Sequence, residues 1–177
     1  HRTADARSYE TVARLAGPLE PVRDRPSSHL ITGIVLRALA AHPDHRGTGA
    51  AIAAARLLGS RLWQADRYAD RRAAGFWQKF RYPFRFTDLV SALDAMQLAG
   101  LGSGDEALTR GLDWLAGRQG DDGLWRTPYD KAADREIHAW VSFAIARLFH
   151  RAGLSSARSR RAGTSSRGGR PASSGPA

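Results

Sequence analysis

The sequence has no cysteine and one methionine, Met96. Without thiols there can be no disulfide, no thiolate zinc site and no cysteine nucleophile. Long apolar runs are also missing. Nothing approaches the ~18 consecutive apolar residues that a membrane-spanning helix needs; the Ala-rich run from Ala50 to Leu58 is short and broken by Arg56. His1-Arg2-Thr3-Ala4-Asp5 leads into no apolar segment of the kind a secretory signal carries, so a cytoplasmic location is the default expectation. With its only methionine at position 96, the chain reads as a fragment or a processed product rather than one with a natural start at His1.

What is present is a hydrophobic content of 42% over 177 residues, enough for one core. The net charge is +10, and half of it comes from Arg158, Arg160, Arg161, Arg167 and Arg170, in a tail without acids. That tail, residues 154–177, is almost entirely Ser, Arg, Gly, Ala and Pro, too polar to offset chain entropy by burial, so disorder is expected. Such a tail implies at most nonspecific, salt-sensitive contact with RNA or a peripheral membrane surface, not specific nucleic-acid binding.

Residues 1–28 form a polar segment, with a short helix from Ala6 to Leu15 and then a linker stiffened by Pro18, Pro21 and Pro26. Residues 29–153 carry helical periodicity. Ser27 or Ser28 caps a first helix, His29 to Ala41, whose apolar face is Leu30, Ile31, Ile34, Val35, Ala38 and Leu39. Pro43 ends it, and a second helix covers Ala50 to Leu62, where alanines and Gly59 admit a close neighbour. After a polar loop from Trp63 to Arg85, a third helix starts at Phe86 or Thr87 and runs to Leu98, burying Leu89, Val90, Leu93 and Met96. Ser103 and Glu106 suggest a capping box for a fourth helix, Gly104 to Gly117, with Leu108, Gly111, Leu112 and Leu115 inside. Asp134 caps a fifth helix to His150, burying Val141, Ala144, Ile145 and Leu148.

These segments repeat. The first helix lies over the third at an offset of about 55 residues, Thr32-Gly33 on Thr87-Asp88 and Val35 on Val90. The third lies over the fifth, Leu89-Val90-Ser91-Ala92 on Trp140-Val141-Ser142-Phe143, and Gly75-Phe76-Trp77 matches Gly123-Leu124-Trp125. In the second hairpin Gln119, just past the helix end, is placed to bond backbone groups left unpaired there. Asp122-Gly123 is a turn pair in which Gly takes positive φ, and Trp125 is large enough to cover the helix end. Gln64 stands at the corresponding place in the first hairpin.

The stretch from Arg110 to Trp125, helix then Gln119, turn and Trp125, resembles the QW repeat of squalene and hopene cyclases, and more loosely the hairpin repeats of protein prenyltransferases. His29-Leu30-Ile31-Thr32-Gly33 and Tyr82-Pro83-Phe84-Arg85-Phe86-Thr87-Asp88-Leu89 resemble inner-helix openings of the same family, so the resemblance covers residues 29 to 150. It implies an all-α partial α/α toroid, here a C-terminal portion, whose inner helices line a cavity for an isoprenoid or other apolar small molecule. The activity implied is isoprenoid cyclisation or prenyl transfer, with the catalytic step unassigned and no cofactor or metal. The family's Asp-x-Asp-Asp acid motif is absent; Asp121-Asp122 is the nearest match and fits turn chemistry better. The prenyltransferase zinc set needs a cysteine that is not here, and His42-Pro43-Asp44-His45 fits a helix-ending turn better than a metal site.

Candidate residues follow from the same pattern. Asp88, in the first turn of an inner helix beside Tyr82, Phe84 and Phe86, either complements the helix dipole or acts as an acid at a cavity mouth. His138 is the second catalytic candidate. His29, Thr32, Tyr82, Phe84, Phe86 and Trp140 are candidate cavity residues, aromatic faces being able to stabilise carbocations. Gln119, Gly123 and Trp125 are candidate repeat-structural residues. Arg37 and Arg56 could serve a diphosphate, but arginines on helices are ordinarily solvated or paired. The competing function is a non-catalytic helical-repeat scaffold binding a protein or peptide; an RNA-binding role through the tail ranks third.

Overall fold

A computed structural model describes residues 27–66, 73–79, 82–84, 86–127 and 135–154. The expected helix at Ala6 to Leu15, the Asp134 cap and the tail beyond Leu154 lie outside these residues. Among the described residues all regular structure is helical: α1 His29–Ala41, α2 Gly49–Ser60, a 3-10 turn Ala74–Gln78, α3 Leu89–Leu98, α4 Glu106–Ala116 and α5 Arg135–Arg151.

Local chemistry fixes the helix starts. Ser28 caps α1, its hydroxyl accepting from the Ile31 N–H at 3.4 Å, and Thr48 caps α2 through the Ala51 N–H at 3.3 Å. Two starts differ from expectation by more than one residue. α3 begins at Leu89 rather than Phe86 or Thr87, because Asp88 is extended and its carboxylate accepts from the Ser91 N–H at 2.8 Å. The Ser91 hydroxyl is 3.0 Å from the Asp88 N–H it accepts from, closing a reciprocal box. α4 is capped by Asp105, not Ser103, with the Leu108 N–H donating at 2.9 Å, so Glu106 is the first helical residue instead of a box partner. A carboxylate next to the helix beats a hydroxyl two residues farther out, since it also meets the positive helix end.

α3 is the hub. It packs against α1, α2, α4 and α5; α1 pairs with α2, α2 touches α4, and α4 touches α5. Seven of its 10 residues are buried, including the small Ser91, Ala92 and Ala95 that let neighbours approach. Leu36, Leu58, Leu93, Met96, Leu112, Ile145 and Leu148 are fully enclosed. Close approach needs glycine at Gly33, where a Cβ would stand 2.3 Å from the Thr87 side chain, and at Gly111, where it would stand 2.6 Å from Leu93. The Gly59 expectation holds similarly: a Cβ there would lie 3.0 Å from Ala107 of α4.

α1 corrects the sequence reading. Its buried stripe is His29, Gly33, Leu36 and Ala40, while Ile34 and Val35 are 39% and 50% exposed. The stripe of large apolar residues was the more hydrophobic, but the small Gly33 and Ala40 permit contact with α3 and the hairpin partner, and approach distance decided the rotation of the helix. The offset of about 55 residues is also out of register with the helix starts: it sets Asp88, the cap of α3, over Gly33 inside α1.

Candidate functional site

Two loops close their hairpins with a tryptophan N–H. After α4, the buried Trp125 indole donates to the Leu115 carbonyl at 2.7 Å, and its own backbone N–H donates to the Ser142 hydroxyl of α5 at 2.9 Å. The Trp125 ring stacks near Phe149, centroids 6.0 Å apart. One residue therefore ties the end of α4 to two levels of α5. Gln119 was expected to bond the helix end; it instead spans the turn, donating to the Gly123 carbonyl at 2.9 Å. Gly123 has φ +80°, the left-handed conformation that the tight turn from Gly120 to Leu124 demands. Asp122 in this turn accepts from the Leu124 N–H at 3.2 Å, and that bond, helped by Arg126, holds its carboxyl below the usual range. The pair Asp121-Asp122 thus sits in turn chemistry.

In the first hairpin the buried Trp77 indole donates to the Gln64 carbonyl at 2.9 Å, and Gln64 reaches back to the Ser60 carbonyl at 2.8 Å. Here the latch continues into a polar cluster. The His29 ring lies on Trp77, centroids 4.6 Å apart, with Nε2 3.6 Å from Asp66. Asp66 also accepts from the Ser28 hydroxyl at 2.7 Å and the Leu30 N–H at 3.2 Å. Burial pushes the His29 imidazole below its ordinary pKa, with the Asp66 charge opposing and Arg61 assisting.

The second feature is a cleft of about 250 Å³ between α1, α3 and α5. Tyr82 and Trp140 stack with centroids 5.2 Å apart and planes within 10°; Phe84 meets Tyr82 edge-on at 5.9 Å, and Phe143 meets Trp140 edge-on at 6.3 Å. Arg37 from α1 donates to the Phe84 carbonyl, so the aromatic loop is pinned to α1. Asp94 of α3 pairs with Arg151 of α5, and Arg147 completes the rim. Trp140 and Phe143 remain 43% and 55% exposed, and the Trp140 indole donates to Glu136 at 3.3 Å.

Of the expected cavity residues, Tyr82, Phe84 and Trp140 meet in this cleft. The others do not line it. His29 belongs to the Asp66 cluster. Thr32 donates to the Ser28 carbonyl at 2.7 Å, and Phe86 is exposed, its carbonyl accepting from the Ser91 hydroxyl at 3.3 Å. Asp88 is buried as the α3 cap, and His138 is buried on α5. Sequence reasoning overlooked Phe143, Asp94 and Arg147. The signal was there in part: Trp140, Phe143, Ala144 and Arg147 follow the i, i+3, i+4, i+7 spacing of one helical face. The His42-Pro43-Asp44-His45 segment is exposed, with His42 Nδ1 accepting from the Asp44 N–H at 3.3 Å; among the described residues no three His, Asp or Glu side chains are grouped to hold a metal. None of the helices described is long and apolar enough to cross a membrane. Comparison with family models, curated proteins and solved structures returns no match.

Proposed function

We propose that the chain is a section of an α/α toroid of the isoprenoid cyclase and prenyltransferase type, and that the aromatic cleft between α1, α3 and α5 binds an apolar, isoprenoid-like small molecule. The observation that carries the reading is the stacked Tyr82–Trp140 pair with Phe84 and Phe143 around an open 250 Å³ space, the exposed rings being an apolar surface that folding alone leaves unsatisfied. The volume falls just below the roughly 300–1,000 Å³ of typical ligand sites, which suits a short apolar segment. The toroid reading is supported by the alternation of packing, with α3 between α1 and α5 and the α2 and α4 helices in mutual contact, and by the two tryptophan latches.

The reading assigns binding and leaves the chemical step unassigned. The carboxylate of Asp88 caps a helix, and the acid that does line the cleft, Asp94, is engaged by Arg151. These engagements are what favour the second reading, a non-catalytic scaffold that takes a peptide in the same cleft. Titration with farnesol, followed by tryptophan fluorescence, tests the first. Saturable binding that weakens at least tenfold in Phe143→Ala and Trp140→Ala supports it. Absence of saturable binding, or binding indifferent to both changes, removes it.

A further inference from the structure

Away from the aromatic cleft, a shallow groove of about 500 Å³ runs between the 3-10 turn and the end of α4, lined among others by Gln78, Lys79, Trp114, Arg118, Arg126 and Thr127. Three of these side chains are cationic, and no carboxylate is among the described lining residues. The cations are held in place. Arg118 lies over the Trp114 ring at 4.7 Å and Lys79 over the Phe76 ring at 4.8 Å, while Arg126 pairs with Asp122 at 2.7 Å from its position on the turn.

This arrangement is more specific than a basic surface. A guanidinium stacked on an indole uses its flat face and keeps its N–H edge for an acceptor. Lys79 adds a point charge from the opposite wall. Like charges around one concavity repel, and Asp122 offsets only Arg126. The α4 C-terminus accounts for a cation at Arg118; it does not account for Lys79 on the other hairpin's loop. An anion with several oxygens would meet all three cations at once, and arginine forks match phosphate geometry.

We propose that this groove binds the diphosphate or triphosphate group of a phosphorylated ligand. The inference is independent of the apolar cleft, since farnesol carries no phosphate. The test is calorimetric titration of the full chain with inorganic diphosphate, inorganic triphosphate and ATP, at low and at physiological ionic strength. Saturable binding that weakens with salt is expected. Lys79→Ala and Arg118→Ala, both at exposed positions, should each weaken it about tenfold, and Asp122→Asn, which releases Arg126, should strengthen it. Arg56→Ala on α2, and Arg158→Gln with Arg160→Gln and Arg161→Gln, should leave it unchanged. Tighter binding of ATP than of triphosphate assigns a nucleotide; equal binding assigns the phosphate chain alone. No binding of any of the three, binding indifferent to Lys79→Ala and Arg118→Ala, or binding lost with the 158–161 arginines, overturns the proposal.

Discussion

Gly33→Ala inverts what helix propensity alone predicts. Replacing a mid-helix glycine by alanine ordinarily stabilises by about 1 kcal/mol. In α1 the new Cβ would stand 2.3 Å from both Cγ2 and Oγ1 of Thr87, where relaxed contact needs about 3.5–4.0 Å. Thr87 cannot turn aside without loss, because it is buried and its hydroxyl donates to the Leu30 carbonyl at 2.6 Å. Overpacking of this kind costs about 1–3 kcal/mol, and breaking the hydroxyl bond adds about 0.5–1.5 kcal/mol. The balance is a net destabilisation of roughly 1–3 kcal/mol after the propensity gain. Urea unfolding of the two single variants and the double variant with Thr87→Ala measures it. The cost of Gly33→Ala should shrink in the Thr87→Ala background, since most of the overlapping atoms are gone. A Gly33→Ala protein as stable as the parent, or strictly additive effects, would refute the packing of α1 on the start of α3.

Three other outcomes follow from the same geometry. Trp125→Phe should lose about 1.5–3 kcal/mol in thermal or urea unfolding from the indole bond and the smaller ring, the lower part of that range being favoured because the Leu115 carbonyl keeps the Arg118 N–H at 3.0 Å; Trp140→Phe, at an exposed position, should lose under about 0.5 kcal/mol. Asp88→Ala should cost about 1–2 kcal/mol while Asp88→Asn, an equally good cap, retains most stability; equal loss in both would mean that the carboxylate charge matters beyond capping. Because His29 has a depressed pKa in the fold, the unfolded chain takes up its proton first, so its contribution to stability is present above the ordinary imidazole value near 6.5 and drains away as pH falls below it. Unfolding midpoints compared between pH 7 and pH 5 should show a fall that His29→Gln flattens; an unchanged slope would mean another group governs that range.

Much of the helical order was legible because capping and glycine chemistry are local. The Ser28 cap declares itself within a few residues, and so does the turn at Gly123. The interior of α4 was legible as well, since Leu108, Leu112 and Leu115 are its only strong apolar stripe. α1 was not, because its sequence offers a second, more hydrophobic stripe and only the Gly33–Thr87 approach, between residues far apart in the chain, selects the other. The cleft was half legible for the same reason. Tyr82, Phe84 and Trp140 stand out as aromatics, whereas Asp94 and Arg147 are unremarkable on their own helices and acquire meaning when α1, α3 and α5 come together. The latch at Trp125 could be anticipated as a cover for the end of α4, but its bond to Ser142 depends on where α5 returns. The His29–Asp66 cluster left no local signal beyond a histidine at a helix start.

The chain's five tryptophans make the most direct test available. With the indoles labelled by nitrogen-15, Trp140 reports the cleft, Trp77 and Trp125 the latches, and Trp114 the groove beside α4. Addition of farnesol should shift the Trp140 indole resonance in a saturable way and leave Trp77, Trp125 and Trp114 in place. A stationary Trp140 signal at saturating farnesol, or a larger shift at Trp114, would contradict an apolar ligand seated between α1, α3 and α5.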